Sequence, residues 1–222
     1  MQTNIYISNL FDLRHTAADD YLTRFLYPWE AIAGLARFLE EYASTLGDDY
    51  EKHEGNVRIA RSAKVSPTAF IGPNTVIGPD AEIRHGAYLR GNALVGRGCV
   101  IGNASEVKNS ILLDGAQLPH YNYVGDSLIG ARAHLGAGAI VSNLKLNGTP
   151  VTVTAEGERI PTGLRKFGAA VGDGAEIGAN AVLCPGSIVG REAIVYPLVC
   201  VRGAVAAGGI LKSAGARREA VR

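Results

Sequence analysis

From Ile59 the aliphatic residues recur every six positions. Ile59, Val65, Ile71, Ile77, Ile83, Leu89, Val95, Ile101, Val107 and Leu113 open ten successive hexads, from IARSAK to LDGAQL. The fifth position is small in most of them: Ala63, Ala69, Thr75, Ala81, Ala87, Ala93, Cys99, Ser105. A helix repeats near 3.6 residues and a half-buried strand at 2, so neither produces a period of six. Such a period marks a solenoid. Three short strands per coil make a triangular prism, with the opening aliphatic residue inside and the small residue at a tight corner. Glycine, Asn or Asp at the turns takes the left-handed backbone that corners require. The pattern returns as IGARAH and LGAGAI, and again from VGDGAE to VRGAVA. The predicted class is an all-β solenoid with parallel strands.

The repeat has two breaks. Between Pro119 and Ile129 the chain uses ten residues where two hexads need twelve, which predicts a register slip beside His120. From about 142 to 170 the pattern is lost, and the alternating segment TPVTVTAEGERI with its Glu156-Gly157 turn reads as a β-hairpin arm leaving the prism. Unpatterned stretches this long in a compact protein are usually functional or touch a partner. Before the repeat, Thr16 is a candidate cap for a helix running to Phe25. Pro28 suits the first turn of a second helix, whose apolar stripe of Ile32, Leu35, Phe38, Leu39 and Tyr42 is expected to face the first coil. The organisation expected is a helical segment over 1–55 and a solenoid over 56–222.

Composition narrows the function classes. The 222 residues are 47% hydrophobic and 19% charged with a formal net charge of +1, so no basic field draws nucleic acid or an anionic membrane. No 18-residue apolar run occurs, and the N-terminus lacks a basic stretch followed by an apolar one; a cytoplasmic protein is expected. Cys99, Cys184 and Cys200 form no CxxC pair and read as small core or corner residues.

One coil is three hexads, or 18 residues, and Arg90 and Lys108 are separated by that number. They are expected to stack on one face, in coils roughly 4.8 Å apart. Two cations that close repel by roughly 3 kcal/mol at an effective dielectric of about 20, and a bound phosphate or carboxylate would relieve the strain. Glu106 either shares that region or neutralises Lys108. In LPHYNYVGD, residues 118–126, His120 is a candidate general base, because an imidazole with an ordinary pKa of about 6.5 can take a proton in one step and return it in the next.

The stretch IGNASEVKNSILLDGAQLPHYNYVGDSLIG, with LGAGAIVSN after it, resembles the acetyltransferase half of the bifunctional glucosamine-1-phosphate acetyltransferase/N-acetylglucosamine-1-phosphate uridylyltransferases. The segment VTVTAEGERIPTGLRKFGAAVGDGAEIGANAVLCPG is similar to the archaeal-type sugar-1-phosphate nucleotidylyltransferases that carry an acetyltransferase domain, and YPWEAI resembles their connector. The resemblance covers roughly 27–205 and is densest over 101–143. It implies a left-handed parallel β-helix, a homotrimer, and acetyl-CoA as co-substrate with no metal. By the same resemblance His120 takes the proton of a sugar amine, Ala137 supplies a backbone donor near the thioester, and Arg90, Lys108 and Tyr123 hold a sugar phosphate. Glu106 and Asn143 match residues that position the amino sugar, and Ala179 and Pro197 fall on the acyl-CoA track. His134, another substrate position, replaces an asparagine of the bacterial pattern, and Ala179 replaces a serine. Fewer than sixty residues precede the repeat and no GxGTR-like phosphate loop occurs among them, so nucleotide transfer is not expected from this chain.

The expected function is acyl-CoA-dependent N-acetylation of an amino-sugar phosphate. The alternatives are a catalytically idle scaffold or regulatory remnant of a nucleotidylyltransferase, and a γ-type carbonic anhydrase with zinc histidines between prisms. Among His15, His53, His85, His120 and His134 no closely spaced pair of ligands occurs within the coils, which disfavours the anhydrase.

Overall fold

Nine consecutive aliphatic residues six apart, Ile59 to Val107, do point into one core, followed by Leu112, Leu118, Val124, Ile129, Leu135 and Val141. The column resumes at Val171 and runs through Ile177, Leu183, Val189, Val195 and Val201. The computed structural model describes residues 5–213 and the backbone of 216–219, and it is a left-handed parallel β-helix of about nine turns with a few helices.

Each coil contributes a strand to three faces. The first face runs Lys64–Val65, Glu82–Ile83, Val100–Asn103, Gln117–His120, His134–Leu135, Glu176–Ile177, Ile194–Val195 and Gly209–Ser213. The second includes Phe70–Ile71, the beginnings of Tyr88–Val95 and Glu106–Leu112, then Tyr123–Gly125, Ile140–Val141, Val182–Leu183 and Cys200–Val201. The third carries Val57–Ala60, Thr75–Ile77, Leu128–Ile129, Ala169–Val171, Ser187–Val189 and Ala204–Val205. A strand at Tyr50–His53 pairs antiparallel with Val57–Ala60 and closes the N-terminal edge, which would otherwise template pairing with another chain.

The register differs from the sequence expectation in a way that matters for the site. Left-handed corner residues fall six apart at Asn74, Asp80, Gly86, Asn92, Gly98 and Ala104, but the steps from Ala104 to Asn109 and from Tyr121 to Asp126 are five. The same step is therefore one residue short in two successive coils. Leu112 takes the inward place expected for Leu113, which turns outward under the helices. His120 itself keeps register, opposite Asn103. The missing residue lies after Tyr123, not beside His120.

The N-terminal segment covers the third face. The expected helix from Thr16 to Phe25 shrinks to Asp19–Leu22, because the Thr16 hydroxyl accepts from the Ala18 N–H at 3.1 Å and makes a local turn instead of a cap. Helix Pro28–Thr45 begins with Pro at its first turn as predicted. Its Trp29, Ile32, Leu35 and Leu39 share a buried cluster with Val76, Leu94, Ile111 and Leu128, so the stripe spans successive coils instead of the first. The arm does not leave the prism. Its hairpin, Thr152–Ala155 with Glu158–Pro161, turns Val151 and Val153 into the same cluster beside Ile188 and Ala204. Trp29 meets Phe167 edge-on at 5.9 Å between centroids, which joins helix to arm. The first and second faces keep uncovered outer surfaces.

Candidate active site

The corner between the first and second faces is built by hydrogen bonds one coil apart. Tyr121 N–H donates to Asn103 O, Gly138 N–H to His120 O, Asn180 N–H to Ala137 O and Leu198 N–H to Ala179 O, all between 2.9 and 3.0 Å. The result is a column in which His120, Ala137, Ala179 and Pro197 occupy one corner of successive coils. The sequence separations of these residues are irregular, and the stacking follows from the short coils and the arm inserted between them.

His120 is exposed at the end of its strand. Its backbone is fixed by the buried side chain of Asn122, whose Oδ1 accepts from His120 N–H at 3.1 Å and whose Nδ2 donates to Gly136 O at 2.8 Å. Tyr121 follows in the left-handed region at φ 53°, an uncommon conformation for an aromatic residue, and its hydroxyl meets Asn103 Nδ2 at 3.1 Å. No described side chain hydrogen-bonds the His120 ring. Ala137 is likewise exposed, and its N–H has no acceptor among the described residues while its carbonyl is paired. An open imidazole thus neighbours, one coil away, an open backbone donor.

On the second face, Arg90, Glu106, Lys108, Tyr123 and Asn143 come together, but not as two stacked cations. Arg90 is the extra residue of a bulge between Leu89 and Gly91, so Gly91, not Arg90, stands opposite Lys108. Arg90 Nη1 pairs with Glu106 Oε1 at 2.9 Å, and Lys108 Nζ pairs with both oxygens of Asp126 at 3.1 Å. Glu106 therefore serves Arg90 and does not neutralise Lys108. The repulsion inferred from an 18-residue spacing is absent, because the bulge displaces one cation and each has its own carboxylate.

Asp126 is a residue that the sequence reading passed over. Its side chain is 5% exposed and takes Lys108, Asn109 Nδ2 at 2.8 Å and Asn143 Nδ2. Asn143 also donates to the Tyr123 hydroxyl at 3.2 Å, and burial, the largest influence, raises the pKa of that phenol, so its own proton remains available to a ligand. A Cβ at position 125 would lie 2.5 Å from Asn143 Nδ2 and 2.7 Å from the Tyr123 oxygen, which is why Gly occupies it. The Gly-Asp pair that closes LPHYNYVGD was the available signal.

His134 does not join this cluster. It lies on the first face, where Nδ1 contacts Glu176 Oε2 at 2.9 Å. Among the described residues no group of three or more His, Cys, Asp or Glu side chains is arranged to hold a metal ion. Cys99 is buried in the core, whereas Cys184 and Cys200 lie on the second face with sulfurs 3.4 Å apart.

The family described as the GMPPB C-terminal domain matches residues 79–158. The bifunctional protein GlmU of Methanococcus maripaludis strain C7 is 46% identical over 172 residues, covering 76% of this chain and 42% of that protein. The bifunctional sugar-1-phosphate nucleotidylyltransferase/acetyltransferase of Sulfurisphaera tokodaii is 38% identical over 107 residues, 48% of this chain and 27% of that protein. The chain thus spans less than half the length of these curated relatives. Among solved structures, the UDP-N-acetylglucosamine acyltransferase of Francisella novicida aligns at 18% identity with a TM-score of 0.42 over 67% of this chain and 59% of that one, an overlap too partial to bear on chemistry. The chain is similar to part of the bifunctional sugar-1-phosphate nucleotidylyltransferase/acetyltransferases, over less than half of their length.

Proposed function

We propose that this protein transfers an acetyl group from acetyl-CoA to the amine of an amino-sugar phosphate, with His120 as general base, and that it works as a homotrimer with no metal in the acetyl transfer. The observation that carries the reading is the pairing of an open imidazole with the open N–H of Ala137 at one corner, beside a polar cluster on the adjoining face. Ala179 and Pro197 continue that corner as the track for acyl-CoA. An amino-sugar phosphate carries one cationic and one anionic group, and the Arg90–Glu106 pair offers the complementary two charges: the guanidinium for phosphate, the carboxylate for ammonium. Lys108 and Tyr123 add donors, and Asn143 orients the sugar. His134 contributes only where the substrate reaches around the corner to the first face.

In the reaction the ammonium first loses one proton to solvent, and His120 takes a second proton from the resulting amine as its nitrogen attacks the thioester carbon. The oxygen of the tetrahedral intermediate accepts from Ala137 N–H, and its collapse breaks the C–S bond and expels the CoA thiolate, which the imidazolium reprotonates. Uncovered first and second faces, with Phe70 57% and Tyr88 43% exposed and packed edge-on, support association of prisms. The test is thiol release from acetyl-CoA over a panel of amino-sugar 1-phosphates, the unphosphorylated amino sugars and 6-phosphates. Turnover with at least one phosphorylated amine and much less with its unphosphorylated form is expected. No thiol release with any of them would favour the idle-scaffold reading.

A further inference from the structure

On the far side of the second face from His120, where its strands turn toward the third, the arm loop and the last coils line an open cleft of about 530 Å³. The acetyl transfer proposed above does not use it. Lys145, Arg159 and Arg202 all contribute to its lining, and no Asp or Glu does. None of the three has a carboxylate within ion-pair distance among the described residues, whereas Arg90 and Lys108 on the second face each have one; Lys145 Nζ reaches the carbonyl of Pro150, at 3.1 Å. Leu144 and Val182 supply an apolar wall, and Thr154 a hydroxyl. The arm packs close at one side of the cleft: Gly186 and Gly203 leave no side chain where the carbonyls of Thr152 and Thr154 pass, 2.5 and 3.0 Å from where a Cβ would stand.

We propose that this cleft binds a nucleoside phosphate at a site separate from the acyl-CoA track. Three unpaired cations on one concavity repel one another, and a multiply charged phosphate removes that cost while accepting their hydrogen bonds. A volume in the usual range for small ligands, about 300–1,000 Å³, with apolar as well as cationic lining residues, suits a ligand that joins an anionic group to a flat and weakly polar one. The separateness rests on the acyl-CoA track being the corner column: Ala179 and Pro197 precede the second-face strands Val182–Leu183 and Cys200–Val201, whereas Cys184 and Arg202 follow them.

Isothermal titration of the full chain with ADP, inorganic pyrophosphate and adenosine tests this without any turnover. ADP should bind saturably and pyrophosphate more weakly, with no heat from adenosine. Arg202→Ala and Arg159→Ala should each weaken ADP and pyrophosphate by about tenfold or more. His120→Ala should bind ADP like the wild type, and saturating acetyl-CoA should leave the ADP affinity unchanged. Absence of saturable binding up to millimolar ADP, wild-type affinity in both arginine variants, or binding of adenosine as tight as ADP would overturn the assignment. Displacement of ADP by acetyl-CoA would overturn it too, by showing the cleft to be the berth of the cofactor's own nucleotide end.

Discussion

The His120 ring has no hydrogen-bond partner among the described residues, whereas its backbone is tied by Asn122 and by Gly138 N–H. Removal of the ring therefore subtracts chemistry and little else. His120→Ala should lower kcat by about 10²–10⁴, with both KM values within about threefold and the melting temperature unchanged. A kcat within threefold of wild type at neutral pH would demote His120 to a corner residue. Asp126 makes the opposite prediction. Its buried carboxylate neutralises Lys108 and holds two asparagine side chains, so Asp126→Ala should cost about 3 kcal/mol of stability by leaving those donors unpaired. Chemical denaturation reads that directly, and a change below about 0.5 kcal/mol would show that the hub is dispensable to the fold.

At the scale of elements, helix and arm stabilise each other through one aromatic contact. Trp29 is 4% exposed, stacked on Tyr27 and edge-on to Phe167, so Trp29→Ala should destabilise by about 3–5 kcal/mol and expose the arm to limited proteolysis before the coils. Unchanged proteolysis of the arm would mean that Phe167 is held by the prism alone. The N-terminal segment is also anchored by Asp173, which accepts from Asp12 N–H at 2.6 Å and Ala131 N–H at 2.8 Å. Burial raises the pKa of this carboxyl. A folded-state value above the unfolded one makes its contribution fully present below the ordinary carboxylate range and lost as pH rises through the raised value. Asp173→Asn should therefore flatten the decline of melting temperature with rising pH that begins above about pH 4; curves of equal slope would assign that decline to other groups.

For the whole molecule, the third face is sheltered by helix and arm, while the first and second present their outer residues to solvent. Phe70, Tyr88, Val182 and Leu198 are large apolar side chains at the exposed surface. The trimer proposed above should appear as three times the chain mass of 23.3 kDa in light scattering at micromolar concentration, and a monomeric mass there would sink it.

The solenoid was legible in the chain because an inward aliphatic residue and a small corner residue every six positions are local features, read by counting. Pro28 and the Glu156-Gly157 turn were legible for the same reason, since each acts on its own backbone. The partners of Arg90, Lys108 and His134 were not. A side chain on a coil meets residues about one turn away, and two five-residue steps, a bulge at Arg90 and a 27-residue excursion from 142 to the return strand at Ala169 reset which residues those are. The sequence by itself determined that this protein is a prism with a histidine near a corner. Only the tertiary structure decided that Arg90 faces Glu106, that Asp126 gathers Lys108 and Asn143, and that the arm folds back to line a basic cleft, because each of these depends on cumulative register across coils and on packing against the third face, to which no local pattern responds.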